Sequence, residues 1–400
     1  MARITNTPRN YAWGAKGRIS RFLGWASSDQ PEAELWFGSH PVSPSLAAEP
    51  GSTSWHDLRD WERSSGEKLP FLLKLLAADS PLSLQAHPNA AQARTGYERE
   101  NSLNLPLDHP TRNYKDPHAK PELIVAVEDG FEALCGFREP AAILADLDEL
   151  TAAGVRSSAS FRELLSGSEP PQAAITWALS DSPEAGEFVD SLTALAHGES
   201  RWELLSRIAQ AYPGDAGLIV TLTMNHVVLK AGEALWLPAG NIHAYLRGIG
   251  VELMGPSDNV LRGGLTPKHV DVVELTRVLD FSPTPPSRLA AEPIGPNAVT
   301  YRPASQPSGK GIPFQLMKVT GEIAFDLDGP AIALSQTGGH ALTLEGETLA
   351  LARGQAAFIQ DAGRLSITGR GLLYLAVGSG GVPALRSPAR ADHIDEETTR

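Results

Sequence analysis

The stretch Val227-Val228-Leu229-Lys230-Ala231-Gly232-Glu233-Ala234-Leu235-Trp236-Leu237-Pro238-Ala239-Gly240-Asn241-Ile242-His243-Ala244-Tyr245 decides the fold. Short apolar runs alternate with Gly and Pro turns. A double-sheet jelly roll or cupin barrel is built from such pieces. His243 follows the Pro238-Ala239-Gly240 turn, where a strand re-enters the barrel, and is a candidate metal ligand.

Just upstream, Leu218-Ile219-Val220-Thr221-Leu222 has strand character. Before it the texture is helical: Ile143, Leu144, Leu147 and Leu150 have helical spacing, as do Leu192 with Leu195 and Leu204, Leu205 with Ile208. Ser160-Phe161-Arg162-Glu163 reads as a capping box ahead of Leu164 and Leu165. Residues 139–212 are therefore expected to be a helical insertion without dense chemistry.

Downstream, Glu252, Asp258, Asn259, Arg262, Lys268 and His269 concentrate polar groups, with Gly263-Gly264 freeing the backbone beside Arg262. Residues 281–313 are proline-rich and read as a linker or irregular crossing. Short strands and turns resume after Phe314. Gly232-Glu233-Ala234-Leu235-Trp236-Leu237 is echoed by Gly354-Gln355-Ala356-Ala357-Phe358-Ile359, and in that alignment His243 falls on Leu365. A second, degenerate cupin-like barrel without metal ligands is expected over residues 281–384, and a disordered tail over 385–400.

Toward the N-terminus, residues 1–60 are loop-rich, with a strand at Glu34-Leu35-Trp36-Phe37. Trp13 and Trp36 read as packing groups, or as a wall beside a sugar. A long apolar run over 69–84 carries Lys74, read either as a snorkelling edge lysine or as a substrate contact. It leads to Leu84-Gln85-Ala86-His87-Pro88. Gln85 and His87 are two apart, so a strand aims both at one face, a natural half of a metal site. A hydrogen-bonded strand end before Pro88 explains the same pair and is the commoner role for lone Gln and His. Asn89 begins a short helix. The polar loop from Tyr114 then runs through Lys120-Pro121 to Glu122, a carboxylate heading the apolar strand Leu123-Ile124-Val125-Ala126-Val127.

Composition narrows the function. Four hundred residues with 42% hydrophobic and 20% charged side chains describe an ordinary globular chain of two or three domains. The net charge of −13 argues against nucleic acid, and a phosphorylated ligand would need its own cluster of cations. Cys135 is the single cysteine, which excludes an internal disulfide and fits a reducing cytoplasm. No apolar run approaches the roughly 20 residues of a membrane span, and no signal-peptide h-region is expected at the N-terminus. Counts of 37 Gly and 31 Pro suit many turns and short strands.

Four donors stand out: Gln85, His87, Glu122 and His243. Two His with a carboxylate form a common catalytic zinc set that leaves positions for water or substrate. Arg262, Lys268, Lys120 and Lys74 are the basic candidates; Arg262 and Lys268, on one Gly-rich stretch, could neutralise a phosphate or an enediolate, and the alternative for all four is a set of surface charges.

The chain resembles the type I mannose-6-phosphate isomerases. The matching segments are Asn10-Tyr11-Ala12-Trp13-Gly14, Ala33-Glu34-Leu35-Trp36 with Gly38 and His40-Pro41, Leu73-Lys74-Leu75-Leu76, Leu84-Gln85-Ala86-His87-Pro88, Tyr114-Lys115-Asp116 with Lys120-Pro121-Glu122, Pro238-Ala239-Gly240 with His243-Ala244-Tyr245, and Ser257-Asp258-Asn259-Val260-Leu261-Arg262-Gly263-Gly264-Leu265-Thr266-Pro267-Lys268. The resemblance implies one zinc ion per chain on Gln85, His87, Glu122 and His243. It implies a catalytic Arg262, with Glu252, Lys120 and Lys268 at other active-site positions. Trp13, Lys74, Ser83, Tyr245 and Asp258 fall where the pocket lining is expected. The implied fold is mainly β, with two cupin-like barrels and an inserted helical domain: 1–138 with 213–280 as the catalytic cupin, 139–212 as the insertion, 281–384 as the degenerate cupin. The implied reaction interconverts mannose 6-phosphate and fructose 6-phosphate through a cis-enediolate, with Glu252 as proton-transfer base and Lys120 as the second candidate. A cytoplasmic monomer acting on a small sugar phosphate, with neither nucleic acid nor membrane as partner, is expected. In this family a His usually precedes Lys-Pro-Glu; here Ala119 stands there, with His118 one earlier. Of the rivals, a metal cupin oxygenase would want a His-rich set and iron, and a non-catalytic sugar-phosphate sensor would not need the ligands and arginine together. A bifunctional enzyme that also makes nucleotide sugars would need a Gly-rich nucleotide-binding element, which the sequence lacks.

Overall fold

The computed structural model describes residues 1–167, 170–180, 182–195 and 202–378. The expected tail at 385–400 lies outside them. The architecture is mainly β: antiparallel sheets carry the chain, and ten α-helices are present among the described residues.

The site is organised by one strand, His243–Met254. Its first residues pair with Phe131–Phe137 and, at His243, with Gln85. Its second half pairs with Leu72–Ala78 on one side and Glu122–Ala126 on the other. The strand changes partners at Gly248, whose φ of +115° is open to glycine and where a Cβ would stand 2.8 Å from the Phe131 backbone. Leu72–Ala78 also pairs with Glu34–Phe37, and Gln85–Ala86 with Leu261–Arg262. Both apolar stretches are buried along their whole length, which is why they read as continuous hydrophobic runs rather than alternating ones.

A second, eight-stranded sheet joins the two ends of the chain: Ala2–Thr5 lies against Ala356–Ile359, with Ala2 opposite Phe358. Ile4, Trp61, Trp236, Phe358 and Tyr374 share one core across that seam. The echoed segments do occupy equivalent positions: left-handed Gly232 and Gly354 each turn the chain into a strand, Ala234–Leu237 and Ala356–Ile359. Leu365 sits in an apolar core beside Phe325 and Ile367.

The helices Pro140–Ala152, Pro183–Leu195 and Glu203–Ala211 bury the expected Ile143, Leu147, Leu150, Leu192, Leu205 and Ile208. Three local expectations are corrected. The run 218–222 is helical, within Gly217–Leu222, because a fully buried short apolar run carries no periodicity to separate helix from strand. Ser160 lies inside the helix Ala159–Leu165, whose N-cap is Ser158, and its hydroxyl donates to Glu184 instead of capping. Residues 281–313, read as a linker or irregular crossing, include the strands Ala291–Gly295 and Ala298–Tyr301 in the eight-stranded sheet.

Candidate metal centre and active site

His87, Glu122 and His243 come from three separate strand ends and converge. They are 1%, 2% and 1% exposed, and one ligand atom from each lies within 4.8 Å of the others. The ladder explains the meeting. His243 is opposite Gln85, which is also opposite Arg262, while Glu122 is opposite Leu237, the last residue of the strand before the Pro238 turn. Cross-strand partners share a face, so Gln85 is placed beside His243.

The protons of both imidazoles are accounted for. His87 Nδ1 lies 2.8 Å from the Asn259 carbonyl, and His243 Nδ1 lies 3.0 Å from the Asn241 carbonyl. A carbonyl only accepts, so each Nδ1 carries a hydrogen, and in the neutral ring each Nε2 presents a lone pair. Those lone pairs face the two oxygens of Glu122, at 3.4 Å for His87 and 3.3 Å for His243. His87 Nε2, His243 Nε2 and Glu122 Oε2 are all buried without a hydrogen-bond partner. Three Lewis bases aimed at one another with no proton between them are costly in a low-dielectric interior, and a cation relieves that cost. Burial and the nearby Lys120 push His87 down to about 4, so it is a neutral donor near pH 7. Burial works against ionising Glu122, but the Lys120 ammonium, 2.9 Å away, holds it well below the usual carboxylate range. The donor set fits zinc.

A second buried cluster adjoins the first. Lys74 is the cross-strand partner of both Glu252 and Trp36. Its ammonium lies 3.2 Å from Glu252 and 3.5 Å from Glu34, and 5.0 Å from the centre of the Trp36 ring. Burial alone would discharge Lys74; Glu34 and Glu252 outweigh it and raise its pKa. Burial, with Glu122 and Glu34 nearby, raises Glu252 despite Lys74. The Tyr245 hydroxyl is buried beside Glu252 and Glu122 with no well-formed hydrogen bond, and burial pushes its pKa up.

The remaining expected residues surround these clusters. Arg262 is half-buried, which lowers its pKa, and it makes no ion pair among the described residues. Lys268 lies close enough to be lowered by burial and by Arg262. Asp258 is turned toward His40, whose Nε2 is 3.1 Å from each of its oxygens. Trp13 packs on the core cluster that includes Tyr245 and Leu237. Ser83 is half-buried in the segment entering Gln85–Ala86. Ala119 stands where the family's histidine was expected, and His118 is exposed, its carbonyl taken by Ser257 and Asn259.

Four contributors were not singled out as site residues from sequence. Glu34 is a buried carboxylate that accepts from Trp36 Nε1 at 3.0 Å and steadies Lys74. Its alternation with Trp36 on one strand was the available signal. His40 orients Asp258. Asn259 and Asn241 act on the histidines through backbone carbonyls, which leave no signature in sequence. The Asn259 amide also fixes the Lys115–His118 loop by four bonds to backbone.

The profile of the phosphomannose isomerase type I catalytic domain matches residues 1–140. Mannose-6-phosphate isomerase of Salmonella typhimurium is 34% identical over 401 residues, covering 93% of this chain and 98% of that one. The Escherichia coli protein of the same name is 37% identical over 321 residues, covering 74% and 78%. A crystal structure of zinc-bound mannose 6-phosphate isomerase superposes with a TM-score of 0.83 at 33% identity, over 94% of this chain and 99% of that one. With a buried His-Glu-His centre and near full-length similarity, this chain belongs to the type I phosphomannose isomerase family.

Proposed function

We propose that this chain interconverts mannose 6-phosphate and fructose 6-phosphate through a cis-enediolate, with one zinc ion held by Gln85, His87, Glu122 and His243. The observation that carries the reading is the trio of buried, partnerless donor atoms on His87, Glu122 and His243, with both Nδ1 protons already committed to carbonyls. Structures of Salmonella phosphomannose isomerase variants replace a lysine, a histidine, a second lysine and a glutamate at the same spacing as Lys74, His87, Lys120 and Glu122, which supports these positions as the site.

Zinc bound there supplies Lewis-acid polarisation of the sugar oxygens. Glu252 takes the proton from C2 of the open-chain aldose and returns it to C1. Its burial raises its basicity, and Lys74 keeps it ionised and in place. Arg262, which makes no ion pair among the described residues, stabilises the negative charge of the enediolate. Lys268 holds the phosphate, and Lys120 steadies Glu122 and is the second candidate for proton transfer. Trp13, Ser83, Tyr245 and Asp258 line the pocket.

We propose the domain division on the same footing: a catalytic cupin of 1–138 with 213–280, a helical insertion at 139–212, and a degenerate cupin-like domain at 281–384. The run of helices between Pro140 and Ala211 and the echoed Gly-turn-strand segments support it. Its proposed setting is the cytoplasm, as a monomer; the single cysteine supports a reducing compartment. The test is fructose 6-phosphate formation from mannose 6-phosphate before and after chelation and zinc add-back. Activity that is lost and then restored supports reaction and centre together; zinc bound without turnover would favour a sugar-phosphate sensor.

A further inference from the structure

The turn between the helices Glu203–Ala211 and Gly217–Leu222 grips both loops of the site. The Tyr212 hydroxyl donates to the Pro81 carbonyl at 2.7 Å, just ahead of Ser83 and Gln85. Three residues later the Asp215 carboxylate accepts three backbone N–H groups. Oδ1 takes those of Gly217 at 2.7 Å and Leu265 at 2.8 Å, and Oδ2 takes that of Thr266 at 3.0 Å. Contact between the two segments is close: a Cβ on Gly264 would stand 2.6 Å from the Gly217 Cα, and one on Gly217 would stand 2.7 Å from the Leu265 nitrogen. Leu265 itself is held at φ +54°, a left-handed conformation that is unfavourable for a residue with a side chain. Outside bonds must hold it there, and the two to Asp215 do so.

Arg262 and Lys268 flank this turn but are secured differently. Arg262 is paired in the ladder with Gln85, and Gly263 donates to the Leu84 carbonyl at 2.8 Å. Lys268 lies beyond the turn; its backbone N–H donates to Thr266 Oγ1 at 3.1 Å, and Thr266 is bonded to Asp215. The Lys268 ammonium makes no ion pair among the described residues. Its place therefore depends on the anchored backbone.

We propose that Asp215, outside the pocket, is a positioning residue for Lys268 and thereby sets affinity for the phosphate group of the substrate. This rests on reading Lys268 as the phosphate holder. The test uses full-length zinc-loaded protein as wild type, Asp215→Ala and Asp215→Asn, with kcat, KM for mannose 6-phosphate, the dissociation constant for inorganic phosphate, zinc content and Tm as readouts. Asp215→Ala is expected to raise KM and the phosphate dissociation constant about tenfold, while kcat falls less and zinc content holds, because Arg262 keeps its ladder partner. Asp215→Asn retains the acceptor for Gly217 and Leu265 and loses only that for Thr266, so it is expected to fall between the two. If the alanine variant does not fold, the asparagine variant decides. Unchanged phosphate affinity in the folded variants overturns the proposal, as does an equal loss of kcat and zinc, which marks general damage. If the wild type binds phosphate without isomerising the sugar, the activity reading fails, while weaker phosphate binding by Asp215→Asn still supports the latch.

Discussion

Lys74 and Glu252 oppose each other on adjacent strands, both buried, with 3.2 Å between ammonium and carboxylate. The pair places a buried carboxylate on the strand that begins with the donor His243, and Glu34 holds the lysine from its other side. Replacing Glu252 by Gln keeps the shape and removes the base. Exchange of the C2 proton with solvent is expected to drop by about 10²- to 10⁴-fold, with zinc content unchanged. Retained exchange, followed by NMR in deuterated buffer, would transfer the role to Lys120.

Lys74→Met tests the same pair from the other side. Lys74 pulls the Glu252 pKa down against burial, so removing it lets that pKa climb. The base must be ionised to work, so the acidic limb of the kcat/KM profile should move to higher pH. Two carboxylates left without their cation should also cost about 3 kcal/mol of stability. An unmoved limb would mean that Glu252 is not the titrating base.

Arg262 makes no ion pair among the described residues, and its removal strands no buried carboxylate. Arg262→Ala should therefore cost about 10²-fold or more in kcat while thermal stability stays close to wild type. Parallel kinetics and calorimetry check this; a large fall in Tm would make Arg262 a structural residue.

Glu132 ties the helices to the sheet. It is buried and bonded to Arg207, on the helix Glu203–Ala211, and to Arg247. Burial opposes its ionisation, but both arginines lower its pKa. A depressed carboxylate stabilises the fold above its unfolded pKa of about 4.3, and that contribution is lost as pH falls through the depressed value. Glu132→Gln should lower stability by about 2 kcal/mol at pH 7, a difference that narrows in acid. Urea melts at several pH values measure it; a gap that widens in acid would contradict the assignment.

The chemistry of the site was more legible in sequence than its assembly. Gln85 and His87 announced themselves as polar groups closing an apolar run, and His243 by the Pro-Ala-Gly turn before it. What no spacing conveys is that a single strand, His243–Met254, draws its partners from segments more than a hundred residues away in sequence, as with Lys74 and Glu122. Nor do the carbonyls of Asn241 and Asn259, which fix both imidazoles, differ in sequence from any other carbonyl. Leu218 to Leu222 misled because burial on all sides erases the pattern on which a helix or strand reading depends. Glu34 was legible as a strand residue, but its pairing with Lys74 is a matter of register.

The account stands on three donor atoms that face one another without protons. The direct measurement is anomalous diffraction at the zinc edge from crystals grown with zinc, alongside a His243→Ala variant grown the same way. One peak about 2.0–2.2 Å from His87 Nε2, His243 Nε2 and a Glu122 oxygen, lost in the variant together with isomerase activity, is the predicted result. An active enzyme with no peak between those atoms would contradict it.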